Sequence, residues 1–367
     1  MMTQPIRILA LITDGFGGQG GISQYNRDLL TALSDADSVG EIVVLPRLGQ
    51  AGQQGLPAHV RQQAPIFNKV RYSLSAVAVA TMKGPFDLVF CGHILQAPLA
   101  AGIARRLQIP LWLQLHGIEA WTCPRAVVRW GAEQSDLVTV VSRYTKRRFL
   151  RWANVQPERV RVLPNTVSDR YSPGPKSEQI LEQYGLRGKR ILLTVSRISL
   201  DDRYKGHHRV LAVMPDLLRE YPDLVYVISG DGNGRDKLQH LALEQGLGNR
   251  VKFIGRVSDA QLPDLYRTAD VFVMPSTEEG FGIVFLEGMR SGIPVIGGNG
   301  DGSMDPLRDG TAGYAVSCEN RGELLSAIRS AIENPRDRTD YADIFSITAF
   351  SQQCANLVSS CCAKANL

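Results

Sequence analysis

No stretch of this 367-residue sequence approaches the roughly 18 uninterrupted apolar residues that a membrane-spanning helix requires. The apolar run 8–12 is short and passes straight into a glycine-rich loop, so the N-terminus does not read as a signal peptide. A cytoplasmic protein is expected, at most peripheral at the inner face of the plasma membrane. Cysteine chemistry is thin as well. Cys91, Cys123, Cys318, Cys354, Cys361 and Cys362 contain no C-x-x-C pair and meet no histidine at metal-ligand spacing. Free thiols in a reducing compartment are expected. Asp35 and Asp37 form the clearest aspartate pair spaced by one residue, but they close an N-terminal helix, and Asp201-Asp202 is adjacent rather than spaced. Neither a metal nor a cofactor is therefore expected. Low-complexity tracts and short repeats are missing too.

What is present is an ordinary globular composition, 44% apolar and 21% charged. The length exceeds the roughly 250–300 residues at which one core stops growing, which implies two domains. Charge divides unevenly. Residues 1–170 carry 19 Lys and Arg against 11 Asp and Glu, a net +8, and the remainder has a net of −3. A basic half suits an anionic partner such as a phospholipid surface or a lipid-linked phosphate. Nucleic acid is not expected, because no recognised binding module accompanies the charge.

Along the chain, short apolar runs alternate with amphipathic stretches. Residues 6–12, 41–45, 88–91, 111–115, 137–141 and 161–163 read as buried parallel strands, with helices at 23–33 and 97–107 between them. The segment 165–176, with Pro173, Gly174 and Pro175, reads as a linker. The pattern then restarts, with strands at 190–195, 224–229, 251–254, 271–274 and 294–296 and helices at 208–220, 236–245, 260–267 and 321–333. Two tandem doubly wound parallel sheets are implied, an α/β architecture of two Rossmann-like domains at 1–168 and 175–345 with a cleft between them. A final amphipathic helix within 346–367 is expected to pack back on the first domain. Ligands of such sheets bind beyond the carboxyl ends of the strands.

Two segments carry chemistry. In MPSTEEGFGIVFLEGMRSGIPVI, residues 274–296, a strand, a Pro-Ser turn and a glycine-bounded step lead into a helix that Gly292 and Pro294 terminate. Glu279 precedes that helix and Glu287 lies within it. The backbone amides of Gly282, Ile283 and Val284 are expected to face an anion at the helix N-terminus. The two carboxylates would then accept hydroxyl donors. In VSRISLDDRYKGHHRVL, residues 195–211, Arg197 ends a strand and Lys205 precedes a helix. Alone, Arg203, Lys205 and Arg209 would read as a solvated basic face. Beside the glutamates, Arg197 and Lys205 suit a diphosphate.

Segment 274–296, with two glutamates separated by seven residues, resembles the signature of the retaining family-4 glycosyltransferases of GT-B fold. The resemblance extends through the first glycine loop, QLHGIE at 114–119, LPNTV at 163–167, SGDG at 229–232, FIGRVS at 253–258 and GYAV at 313–316. It implies that Arg197 and Lys205 hold the donor diphosphate, and that Glu279 contacts the sugar and Glu287 the ribose. It also places His116 beside the sugar, Gly20 and Gly21 near sugar and diphosphate, and Gly255, Arg256 and Val257 near the base. The family's Gly-Gly-x-x-Glu element is replaced by GNGDGSMDPL, with Asp305 as the expected stand-in. The implied activity is metal-independent transfer of a hexose, with retention, from an NDP-sugar to a glycan or lipid-linked acceptor in surface-polysaccharide assembly. GDP-mannose is the favoured donor and a UDP-sugar the alternative.

Other readings compete. Gly15-Phe-Gly17-Gly-Gln-Gly20, followed by Asp35, has the literal form of a dinucleotide fingerprint and would suit an NAD-dependent dehydrogenase. A non-catalytic nucleotide-sugar-binding subunit and a GT-B epimerase are the others. Segment 142–152, SRYTKRRFLRW, interleaves basic and aromatic residues and is read as a candidate contact to an anionic membrane surface.

Overall fold

Runs of apolar residues bounded by turns become strands, and each returns through a helix whose apolar stripe covers the sheet. A computed structural model describes residues 4–50, 55–200, 205–335 and 343–363. They fall in two compact units, Met1–Thr166 with Ile347–Leu367, and Val167–Ser346.

The first unit runs β1 (Ile6–Ile12), α1 (Gly21–Ser34), β2 (Val39–Pro46), β3 (Val60–Gln62), α2 (Lys69–Met82), β4 (Leu88–Cys91), α3 (Ala97–Leu107), β5 (Leu111–Leu115), α4 (Ala126–Glu133), β6 (Leu137–Val140), α5 (Arg143–Leu150) and β7 (Val160–Val162). Its seven strands order as β3-β2-β1-β4-β5-β6-β7, all parallel, so the strand order reverses between β1 and β4. Central strands have helices on both faces, which is why Ile8, Leu9, Leu11, Leu88 and Val89 are all wholly buried. The C-terminal helix Ile347–Ala363 packs against α1, burying Phe350, Cys354, Val358 and Cys361 at helical spacing. Phe350 meets the Tyr25 ring edge-on at 5.8 Å.

The second unit runs α6 (Glu178–Gln183), β8 (Arg190–Val195), α7 (His207–Glu220), β9 (Leu224–Ser229), α8 (Arg235–Glu244), β10 (Val251–Gly255), α9 (Leu262–Thr268), β11 (Val271–Met274), α10 (Ile283–Arg290), β12 (Val295–Gly298), β13 (Tyr314–Val316) and α11 (Arg321–Glu333). Its six strands order as β10-β9-β8-β11-β12-β13, again all parallel. The expected fold class is therefore the observed one. The segment 165–176 is more than a linker, because Tyr171 within it is 1% exposed and Pro173 packs under Gly292.

Several elements differ from the sequence reading, β3, β13 and α2 among them. β3 and β13 are three-residue strands, too short to show periodicity. α2 carries apolar residues on both its sides, so it lacks the alternation by which a surface helix is recognised. Among the described residues, no helix is long and apolar enough to cross a membrane.

Candidate functional site

Loops that follow parallel strands collect at the carboxyl edge of the sheet. In the second unit β8 and β11 are hydrogen-bonded neighbours, Leu192 with Val271 and Leu193 with Phe272. The loop after β8 carries Arg197 and Lys205, and the loop after β11 carries Glu279. Gly206 joins them. Its φ is 83°, and a Cβ there would stand 2.3 Å from the Pro275 carbonyl oxygen. Only glycine lets these two loops touch in that conformation. Lys205 Nζ consequently lies 2.5 Å from Glu279 Oε2, with each side chain 16% exposed. Arg197 is exposed, two residues beyond β8 on the same edge. The neighbouring Ser196 Oγ is 2.9 Å from Nε2 of the buried His207.

The loop bearing Glu279 is also held from its other side. Asp301, 2% exposed, accepts the Glu279 amide at 2.6 Å and the Ser276 hydroxyl at 3.1 Å on Oδ2, and the Ser303 amide at 2.9 Å on Oδ1. The Gly302 amide donates to the Glu279 carbonyl at 2.8 Å, and a Cβ on Gly302 would lie 2.0 Å from the Gly280 carbonyl oxygen. Burial pushes the Asp301 carboxyl up to about 6, opposed by the amides of Glu279 and Ser303. Asp301 caps the 3-10 turn Gly302–Met304 and faces the loop. Asp301, Gly302 and His207 were missed in the sequence because they act on backbone or side chains of distant loops. Asp-Gly-Ser at 301–303 is nonetheless a capping signal.

Helix α10 begins after Gly282, which adopts a left-handed conformation with φ 89°. The amides of Ile283 and Val284 have no acceptor within the helix and stand at the positive end of its dipole. Glu279 Cγ lies 3.1 Å from the position of a Cβ on Gly282, so Glu279 flanks this helix tip. Glu287 lies one turn inside. It is 8% exposed, with Oε1 accepting the Tyr171 hydroxyl at 2.9 Å and Oε2 the Tyr266 hydroxyl at 2.7 Å. Burial raises its carboxyl, while the two tyrosine donors pull it back. Each oxygen of the Glu287 carboxylate thus already has a donor.

Farther along the edge, β10 ends at Gly255, whose carbonyl accepts the Gly230 amide at 2.8 Å. Arg256 is exposed and Val257 buried. β10 is two strands from β8, about 10 Å at ordinary strand spacing.

His116, Gly20 and Gly21 belong to the first unit and its own carboxyl edge. His116 follows β5. Its Nε2 is 2.9 Å from the Gly92 carbonyl, which can only accept, so Nε2 carries the proton and Nδ1 is left as an acceptor. Burial lowers its affinity for a second proton, opposed by Glu119 and by the Gly92 carbonyl. Gly20 caps α1 with φ 95°, and open space surrounds the Cβ positions of both Gly20 and Gly21. Near this edge four buried side-chain atoms have no hydrogen-bond partner among the described residues: Thr13 Oγ1, Asn26 Oδ1, Arg47 Nε and Gln96 Oε1. Buried polar atoms are rarely left so.

Two expectations are corrected here. Asp35 is the C-cap of α1, 14 residues and about 21 Å from the glycine loop, so it cannot serve as the ribose acid of a dinucleotide fingerprint. Segment 142–152 presents only part of its aromatic surface beside its basic residues, with Arg147 over the half-buried Tyr144 ring at 5.8 Å. Phe149 is buried, Trp152 donates to the Ala120 carbonyl at 2.9 Å, and the Arg148 guanidinium stacks over Trp121 and Tyr144. Arg143, Arg147 and Arg151 are what α5 and its C-cap leave outward.

Residues 176–344 match the family model Glycosyl transferases group 1, and residues 19–171 match Glycosyltransferase Family 4. The chain is 30% identical over 220 residues to the GDP-mannose-dependent alpha-(1-6)-phosphatidylinositol monomannoside mannosyltransferase of Mycolicibacterium smegmatis, a match covering 58% of this chain and 57% of that protein. The chain thus spans little more than half the length of that relative. It is 26% identical over 342 residues, 86% of each chain, to the corresponding monoacylated-substrate mannosyltransferase of Corynebacterium glutamicum. Among solved structures, Anabaena Alr3699/HepE in complex with UDP and glucose superposes with a TM-score of 0.79 at 23% identity, covering 97% of this chain and 100% of that one, a likeness of fold. Together the two family models span most of the sequence, and the chain belongs to the group-1, family-4 glycosyltransferases, with their GT-B fold of two Rossmann-like domains.

Proposed function

We propose that this protein transfers a hexose, with retention and without a metal, from an NDP-sugar to a glycan or lipid-linked acceptor on the cytoplasmic side of surface-polysaccharide assembly. The observation that carries the reading is the enclosed Lys205–Glu279 pair beside the N-terminus of α10. A diphosphate at that edge would take the Lys205 ammonium from Glu279, and Arg197 with the amides of Gly282, Ile283 and Val284 would share the charge. As the anomeric C–O bond breaks, negative charge grows on the leaving phosphate, where donors already in place stabilise it most. Glu279, released from Lys205, accepts sugar hydroxyls. The acceptor oxygen bonds the anomeric carbon from the departing side and passes its proton to the leaving phosphate.

His116, neutral and with Nδ1 open, suits a hydroxyl acceptor for the same sugar. Gly255, Arg256 and Val257 are proposed to flank the base, with Glu287 at the ribose and Gly20 and Gly21 leaving room for sugar and diphosphate. GDP-mannose is the preferred donor because relatives across much of the chain are described as GDP-mannose-dependent. A UDP-sugar is the alternative, since a structural neighbour was solved with UDP and glucose. Thermal shift against GDP-mannose, UDP-glucose, UDP-galactose, ADP-glucose and NAD tests both levels. At a hundredfold excess over Kd, bound donor should raise the melting temperature by several degrees. A shift with NAD alone would overturn the reading, and a shift with UDP-sugars alone would replace GDP-mannose. Radiolabelled donor supplied with a membrane lipid extract then reads transfer directly.

A further inference from the structure

Helix α2 is apolar on the side it hides and on the side it shows. Tyr72, Ala76, Val79 and Ala80 enter the core, whereas Val70 is 68% exposed, Leu74 67%, Val77 47% and Met82 83%, with Phe67 just ahead at 64%. Positions 70, 74 and 77 share one helix face, the face on which a surface helix normally carries polar residues. Between α2 and α3 lies a groove of 410 Å³ lined by Val77, Ala80, Leu99, Ile103 and Leu107, with Arg106 as the charged member of its lining. Neither helix contains Asp or Glu, and Lys69, Arg71, Lys83, Arg105 and Arg106 are all exposed around the apolar strip.

A contiguous apolar face of this kind marks a binding surface, and its surrounding charge selects the occupant. A second copy docked through a twofold axis would set basic rim against basic rim. A bilayer with anionic headgroups satisfies both parts, taking the aliphatic side chains among its acyl chains and the cations at its phosphates. We infer that α2 and α3 form a membrane-docking face selective for anionic phospholipid. The inference moves membrane contact from segment 142–152 to α2, and it does not depend on the reaction proposed above.

The test is co-sedimentation of the full chain with phosphatidylcholine vesicles, with and without phosphatidylglycerol. Wild type is expected to pellet with the anionic vesicles, and Leu74→Glu/Val77→Glu to bind roughly tenfold less. Lys83→Glu/Arg106→Glu, which leaves the apolar strip intact, should lose the preference for phosphatidylglycerol. Arg147→Glu/Arg151→Glu on the α5 side should lose less than either. Circular dichroism and donor-induced thermal shift are read on every variant, so that loss of fold or of the donor site is seen separately. Wild type that ignores anionic vesicles overturns the inference, as does an α2 variant that binds as wild type does. An equal loss from the α5 variant overturns it too. A wild-type dimer in sedimentation velocity that the α2 variant dissociates, without vesicle binding, would assign the face to a second copy instead.

Discussion

The two units share an architecture and differ in how their carboxyl edges and surfaces are finished. In the second unit the edge is closed by close backbone approaches and by enclosed charge: Gly206 against Pro275, Gly302 against Gly280, Lys205 on Glu279, and Asp301 beneath the Glu279 loop. In the first unit buried polar atoms on Thr13, Asn26, Arg47 and Gln96 lack a partner among the described residues, against Ser303 and Arg209 near the second unit's edge, and open space surrounds Gly20 and Gly21. Surfaces diverge the same way. Of the fourteen large hydrophobic side chains exposed among the described residues, eleven belong to the first unit, which is also the basic one. A pre-organised edge suits a small ligand of fixed chemistry. Under the function proposed above, the pre-organised edge would suit the donor and the other, beside an apolar, basic surface, an acceptor.

The sharpest way to break this contrast is at the enclosed pair. Lys205→Ala and Glu279→Ala should each lower kcat by about 10²–10³-fold, the scale for removing one pre-placed group that stabilises transition-state charge. Melting temperature should fall little, because each side chain keeps 16% of its exposure, through which the surviving partner can reach water. Initial rates with saturating donor, beside a thermal melt, check both. Near-wild-type turnover in Glu279→Ala would remove the second unit's claim to the chemistry.

Glycines give the next largest effect and set the units directly against each other. Gly206→Ala must adopt φ 83° and place its Cβ 2.3 Å from a carbonyl oxygen, so a loss of about 1–3 kcal/mol is expected, with weaker donor binding as Lys205 shifts. Gly21→Ala meets open space at the first residue of α1, where alanine is favoured by up to about 1 kcal/mol. It should be neutral to stabilising in a urea melt, and any loss should be in activity alone. Equal destabilisation by both would mean that the first edge is as tightly closed as the second.

How much of this was legible in the sequence follows from the range of the interactions. β1, β4, β5, β8, β9 and β11 begin and end where their apolar runs do, because burial on both faces writes itself into consecutive residues. β3 and β13 are too brief to write anything, and α2 was hidden by the same two-sided apolarity that makes it a docking face. At the site, Lys205 and Glu279 could be picked out because strand, glycine and helix lie next to them in sequence. Asp301 could not, since its partner amide is 22 residues away and no local period links them. The tyrosines on Glu287 come from 116 and 21 residues away, and the sequence left that carboxylate looking open.

Those tyrosines supply a smaller test. Tyr171→Phe or Tyr266→Phe removes one donor from a buried carboxylate, which should cost about 1.5–3 kcal/mol of stability. The sign with pH is fixed by the raised Glu287 carboxyl. Its contribution is fully present below the unfolded value and fades as pH rises through the folded one. Losing a donor raises that value further, so the variants should look most defective at neutral pH and recover toward acid. Urea melts across pH read this, and a deficit independent of pH would make the hydroxyls mere packing.

The smallest expected effect concerns Asp301, and it bears on whether the second edge is held by charge or by shape. Its carboxyl is raised to about 6 from 3.8, so the folded state binds a proton more readily than the unfolded one. Its stabilising contribution is therefore full below about 3.8 and lost as pH climbs through about 6. Activity should run the other way. The ionised group has acceptors for the amides of Glu279 and Ser303 and the hydroxyl of Ser276, while the protonated one gives up an acceptor site and releases part of the Glu279 loop. Turnover should thus decline below about pH 6 even though this group's stability term improves. Asp301→Asn keeps the shape but turns one amide nitrogen toward a backbone or hydroxyl donor. It should cost about tenfold in activity, roughly 1.4 kcal/mol, and abolish the Asp301 part of the stability slope between pH 4 and 6. A pH–rate profile of the asparagine variant that kept the wild-type acid limb would assign that limb to another group and leave the loop held by backbone fit alone.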